Sequence, residues 1–229
     1  MHLDFTDEQT MLRDMCRQFA REELLPKAGE MDERAEFPRE QVARMGELGL
    51  MGVTVPTDYD GAGMDNVSYA LAVEEVSAGC ASCGVIMSVN NSLVCDPIVK
   101  FGSEEQKRYW LPQLAPGKIL GCFALSEPST GSDAAAQKTG AVLDGDQWVL
   151  NGSKNFITNG NDAQLCIVFA MGDKSKGVKG INAYLVPLDV DGVSVAKNEK
   201  KLGIKASSTS QINLDDVRVG RDSLLGEAG

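Results

Sequence analysis

The stretch Phe123-Ala124-Leu125-Ser126-Glu127-Pro128-Ser129-Thr130-Gly131-Ser132 has residue types and spacing that could do chemistry. An apolar, strand-like run ends at Pro128 and passes into Ser, Thr, Gly and Ser. A tight turn of that composition presents backbone N–H groups and hydroxyls to an anion such as a pyrophosphate. Ser126, at the strand end, can donate or accept one hydrogen bond to a flat heterocycle. On composition alone the plainer reading is an ordinary strand-to-turn exit. A second candidate is the basic cluster Lys197, Lys200, Lys201 and Lys205, which could meet phosphates, although a solvated loop face is the plainer reading.

Other chemistries are excluded or weak. The single histidine, His2, sits at the terminus, which removes Ser-His-Asp and Cys-His machinery and any His-rich metal site. Cys80-Ala81-Ser82-Cys83 has CxxC spacing but no second pair and no βαβ context, so buried core cysteine is expected. Gly61-Ala62-Gly63 begins like a dinucleotide loop, but position 66 is Asn, and a surface turn is expected. No GxxxxGK phosphate loop occurs. Glu74 and Glu75 read as a solvated helix face.

These residues need elements to hold them. The first half has helical period. Thr6 and Gln9 have capping-box spacing, followed by Leu12, Met15, Cys16, Phe19, Ala20 and Leu24 at helical intervals, with Pro26 near the stop. Pro38 suits the first turn of a second helix, with Val42, Met45 and Leu48 inward and Gly49 just past its end. Asp58 to Gly63 is a loop. Asn66 is expected to cap a third helix, a small-residue helix is expected from about Gly84 to Val99, and Ser103 with Gln106 forms a second capping box before a helix that Pro112, Pro116 and Gly117 end. The second half reads as short strands separated by the turn pairs Asp144-Gly145, Asn151-Gly152, Asn159-Gly160 and Asp191-Gly192. Expected strands are residues 119–125, 138–143, 147–151, 155–158, 165–170, 181–187, 192–195 and 211–217.

Helices and strands are segregated, which predicts an α+β chain. An all-helical domain over residues 1–117 precedes a small antiparallel β-barrel or sandwich over 118–229. The 229 residues carry a net charge of −11, against nucleic acid and anionic membrane surfaces as partners. No apolar run reads as approaching the ~20 residues of a membrane span. The N-terminus has neither signal nor transit character. The six cysteines lie mostly in apolar stretches, which suits buried thiols in a reducing compartment.

The segment ending Gly131-Ser132-Asp133 resembles a signature of the acyl-CoA dehydrogenase family. Lys154-Asn155-Phe156-Ile157-Thr158-Asn159-Gly160 resembles the family's second signature, and Lys201-Leu202-Gly203-Ile204-Lys205-Ala206-Ser207-Ser208-Thr209 a third, in matching order and spacing. Gly79-Cys80-Ala81-Ser82 and the run Val85-Ile86-Met87-Ser88-Val89-Asn90-Asn91-Ser92-Leu93 are most similar to the short-chain (butyryl-CoA) branch. The likeness covers essentially the whole chain. Phe156 stands where many members have Trp, and Thr130 where a smaller residue is usual.

The resemblance implies FAD as cofactor. Phe123, Leu125 and Ser126 would line the flavin, with Gly131 and Ser132 in the turn; Phe156, Ile157 and Thr158 would sit against the ring from the other side. Ser132 would also touch the acyl-CoA substrate. The implied reaction oxidises a short-chain acyl-CoA to a 2-enoyl-CoA in fatty-acid or amino-acid catabolism. The α-proton goes to a carboxylate, the β-hydrogen to flavin N5 as hydride, and electrons to electron transfer flavoprotein. The family's base belongs to a C-terminal helical bundle, absent from this chain, and Glu127 is expected to hold its turn rather than act as base. This chain alone is therefore expected to be inactive, with weak or absent FAD binding. A homotetramer is implied for the full-length protein, in the mitochondrial matrix of a eukaryote (as a mature form) or the cytoplasm of a bacterium. The alternatives are a non-catalytic acyl-CoA or partner-binding module on the same scaffold and an acyl-CoA oxidase.

Overall fold

The computed structural model describes residues 4–228, so His2 lies outside the described residues. Two compact units interleave along the chain. One holds the residues up to Asp96 together with Arg108–Lys118 and Lys200–Ser207. The other holds Pro97–Lys107, Ile119–Glu199 and the chain from Ser208 onward.

The helical elements are α1 (Asp7–Phe19), α2 (Leu25–Arg34), α3 (Arg39–Glu47), α4 (Asn66–Gly79), α5 (Ala81–Ser88), α6 (Asp96–Phe101) and α7 (Glu104–Leu114). Both expected capping boxes form. Gln9 N donates to Thr6 Oγ1 at 3.2 Å and Thr6 N to Gln9 Oε1 at 3.0 Å. Ser103 and Gln106 repeat the pattern at 3.0 and 3.2 Å. Each satisfies two amides that helix geometry leaves without partners.

Pro26 is not a stop. A π-helical segment, Ala20–Leu24, carries the chain from α1 into α2, whose first turn contains Pro26. The missing N–H of a proline costs nothing there. Asp65, not Asn66, caps α4: its carboxylate accepts the Ser68 amide at 2.7 Å. The fourth helix begins at Ala81, earlier than expected, and Pro112 lies inside α7 rather than ending it.

The run Ala81–Phe101 is long and apolar enough, by length and composition alone, to cross a membrane, contrary to the sequence expectation. Its most apolar window is 61% buried within the fold. The π-helical segment Val89–Cys95 at its centre turns Asn90 and Asn91 fully inward. Asn91 Nδ2 donates to the carbonyls of Leu50 and Met87, both at 2.9 Å, while its Oδ1 accepts the Val53 amide at 2.8 Å. Asn90 Nδ2 reaches the carbonyls of Met51 and Leu114. Two buried side-chain amides thus serve the carbonyls of Leu50 and Met51 and the amide of Val53, as buried backbone groups require.

The second unit is built on one sheet of eight strands among the described residues: β1 (Gly121–Ala124), β2 (Gly140–Asp144), β3 (Gln147–Thr158), β4 (Leu165–Met171), β5 (Ile181–Pro187), β6 (Val193–Val195), β7 (Thr209–Gly220) and β8 (Leu224–Leu225). The order is β6-β7-β3-β2-β4-β5-β8, with β1 on β4. The sheet is mostly antiparallel, as expected, but β1 runs parallel to β4, and β2 touches β4 in the same sense. The pair Asn151-Gly152 is not a turn. Residues 147–151 and 155–158 form one strand, β3, with register shifts against β7 at Leu150/Gly152 and Lys154/Ile157. Gly152 has φ 151°, and a Cβ there would meet Thr139 Cα at 2.8 Å. Here β7 carries the extra residue, with Asp216 at φ 51°, and glycine is needed opposite it for the close approach to Thr139. All six cysteines are free and buried.

Candidate functional site

The first signature leaves the sheet at the end of β1. Phe123 is half-buried, its ring 4.9 Å from that of Phe169 on β4. Beyond Ala124 the chain is held by its carbonyls. Leu125 O accepts Lys154 Nζ at 3.0 Å, and Ser126 O accepts the Asn155 amide at 2.8 Å. Glu127 and Thr130 exchange backbone hydrogen bonds at 2.8 and 3.1 Å, closing a tight turn with Pro128 and Ser129 outward. Gly131 and Ser132 follow, exposed. Space around Gly131 is open, and neither amide has an intramolecular acceptor among the described residues. Thr130 Oγ1 is buried without a partner.

The loop is closed at its base by Glu127. Its carboxylate accepts the amides of Lys138 at 2.7 Å and Thr139 at 2.9 Å, and pairs with Lys154 Nζ at 3.0 Å. Burial by itself would raise the Glu127 carboxyl. The hydrogen bonds from Thr139, Lys138 and Lys154 outweigh that and hold it at about 2. Burial pulls Lys154 below its ordinary value, and Glu127 opposes the shift.

The second signature lies beside the first because of the bulge in β3. Between Lys154, opposite Ile212, and Ile157, opposite Ser210, β3 has one residue more than β7. The extra length pushes Phe156 outward with φ 58° and its side chain 64% exposed. Bulky residues rarely adopt that backbone, so the ring is held out at the expense of strain. Thr158 is half-buried. Ile157 is 2% exposed, so its side chain belongs to the core and only its backbone can border an open face. Asn159 ends the strand: its amide donates to Ser208 O at 3.0 Å and its Nδ2 to Gly121 O at 3.2 Å, tying the second signature to the start of β1.

The fold thus gathers Phe123, Leu125, Ser126, Gly131, Ser132, Phe156 and Thr158 in the β unit. An outward aromatic ring, two half-buried hydroxyls and a turn with free amides form a donor set suited to a flat, hydrogen-bonding ring with an attached anion. Lys201 and Lys205 of the third signature belong to the helical unit. Lys201 Nζ donates to Ser207 O at 2.5 Å, and the Lys205 amide donates to Asp32 Oδ1 at 2.7 Å. Lys197 and Lys200 are exposed. Sequence reasoning did not assign Lys154 and Gln137 their parts; a lysine in a strand reads as solvent-facing, and only its place beside the bulge marks it.

Comparison with known proteins adds the family. Residues 6–118 match the model for the acyl-CoA dehydrogenase N-terminal domain, and residues 122–217 match that for the acyl-CoA dehydrogenase middle domain. The chain is 52% identical over 227 residues to the mitochondrial short-chain specific acyl-CoA dehydrogenase of Bos taurus, covering 99% of this chain and 55% of that protein. It superposes with TM-score 0.97 and 43% identity on a structure described as the electron transferring flavoprotein of Acidaminococcus fermentans, covering 100% of this chain and 60% of the other. It also superposes with TM-score 0.91 and 40% identity on an acyl-CoA dehydrogenase complexed with FAD from Bacillus anthracis, covering 99% of this chain and 38% of the other. The chain spans about 55–60% of the length of the curated relatives it matches. With both domain models matched in order over nearly its whole length, the chain belongs to the acyl-CoA dehydrogenase family.

Proposed function

We propose that the face built from Phe123, Leu125, Ser126, Gly131, Ser132, Phe156, Ile157 and Thr158 holds FAD, and that the chain is the cofactor-binding part of a short-chain acyl-CoA dehydrogenase. The observation that carries this reading is the bulge-supported Phe156 beside a turn with free amides. Phe156 offers its ring as a wall, Ser126 and Thr158 offer hydroxyls to polar edges, and the amides of Gly131 and Ser132 offer partners to a phosphate oxygen or a thioester substrate. Bound FAD supplies the acceptor for the hydride that leaves the β-carbon of the acyl-CoA.

The chain's own residues bind and orient; they do not take the α-proton. Glu127 is the carboxylate inside the first signature, and it is 6% exposed, ion-paired and committed to two amides. A base must stay within hydrogen-bond reach of the proton it removes and be able to accept it, and Glu127 is spent on structure. Glu127 is therefore not the base, and the reading places the base outside these residues. Electron transfer flavoprotein is the proposed acceptor of the electrons and a homotetramer the proposed assembly.

Mixing the chain with FAD and butyryl-CoA without oxygen tests the placement of the base, and the FAD titration described below tests the face. The flavin absorption is expected to persist for hours. Bleaching within minutes means that a base resides in these residues, and its placement outside the chain is then wrong.

A further inference from the structure

Lys154 does no chemistry in the reading above, yet it is among the most fully enclosed groups of the β unit. Its side chain is 0% exposed, so no bound molecule reaches it without the fold opening. Its Nζ spends three hydrogen bonds, each at 3.0 Å, on Leu125 O, Glu127 Oε1 and Gln137 Oε1. Leu125 lies before the tight turn, Glu127 within it and Gln137 after it. One ammonium group thus grips the whole loop that carries Gly131 and Ser132. Gln137 directs its carbonyl at this ammonium while its own Nε2 is buried without a partner.

The same residue begins the bulge. Lys154 is the last position of β3 in register with β7 before the shift that releases Phe156. Its neighbour Asn155 donates its amide to Ser126 O at 2.8 Å. The first signature is therefore fastened to the second at two adjacent points, one through a side chain and one through the backbone.

Stability alone does not call for a charge here. A buried ion pair is often matched or exceeded by apolar residues of similar volume, because desolvation offsets the attraction. What the lysine adds is geometry: three acceptors from separated parts of a polar loop converge on one donor group, which no apolar side chain provides.

We infer that Lys154 is the positioning residue of this face, joining the two signature segments into one surface, so that affinity for FAD depends on a side chain that never touches it. The inference rests on the FAD reading of the face, but its structural half stands separately.

Hydrogen–deuterium exchange on the chain, with and without FAD, tests both halves. The variants are Lys154→Met and, as a control of comparable burial on the same strand, Leu150→Ala. In Lys154→Met the amides of Lys138, Thr139 and Asn155 lose protection together by about tenfold or more, and FAD binds about tenfold more weakly by flavin fluorescence. At matched thermal stability Leu150→Ala leaves both within about twofold. If Lys154→Met does not fold, Glu127→Gln, which keeps the shape and removes the charge, is expected to show the same joint loss. Unchanged protection in the Lys154 or Glu127 variant, or equal losses in Leu150→Ala, overturns the inference. If the unaltered chain binds no FAD, the functional reading fails, while the exchange data still decide whether Lys154 couples the segments.

Discussion

Phe156 concentrates the tension between stability and function. Its φ of 58° costs an L-residue about 1–2 kcal/mol, and 64% exposure returns little of that through burial. Phe156→Gly should therefore leave thermal stability unchanged or raise it by about 1 kcal/mol, while FAD affinity falls about tenfold for lack of a ring to stack on. A calorimetric melt beside a flavin titration reads both. Glu127 carries a different consequence. Its carboxyl is held at about 2 in the fold against an ordinary 4.5. A depressed carboxylate stabilises the fold fully above about pH 4.5, and that contribution is lost as pH falls towards 2; it is on the order of 3 kcal/mol. Melts from pH 7 to pH 3 should show a decline that Glu127→Gln flattens. Neither residue was fully legible in sequence. Glu127 was readable as a turn-holder only through the family resemblance, in which that position is not the base. The backbone of Phe156 was not, because nothing in an aromatic residue announces a left-handed φ.

At the scale of elements, local signals were the readable ones. Thr6 with Gln9 and Ser103 with Gln106 specify their helix starts within four residues, and both form. The π segments at Ala20–Leu24 and Val89–Cys95 were not readable, because one extra residue in a turn breaks the 3.6-residue period on which the reading depends. Asn151-Gly152 misled for a physical reason: a strand glycine that lets a neighbouring strand come close, as Gly152 does with Thr139, has the same composition as a hairpin turn. Glycine also matters within a helix. Gly46 lies in α3, and a Cβ there would stand 2.2 Å from the carbonyl oxygen of Pro116. Alanine is the better helix former by about 1 kcal/mol, yet Gly46→Ala is expected to destabilise by about 1–3 kcal/mol because backbone, not a flexible side chain, must give way. Chemical denaturation measures the sign directly.

For the molecule as a whole, segregated periods predicted helices followed by a mostly antiparallel sheet, which is the order found, and the signatures are the basis of the proposed FAD face. The interleaving of the two compact units was not legible, since residues 97–107 and 200–207 join their units through contacts distant in sequence. A net charge of −11 opposes an incoming pyrophosphate, so the affinity of this chain for FAD is expected to be weak, on the order of micromolar or poorer. The most direct measurement is therefore one that registers weak binding by position. In two-dimensional amide NMR of the isotope-labelled chain titrated with FAD, saturable shifts should centre on Ser126, Gly131, Ser132, Phe156 and Thr158. No saturable change at these amides, or changes centred elsewhere, would contradict the account.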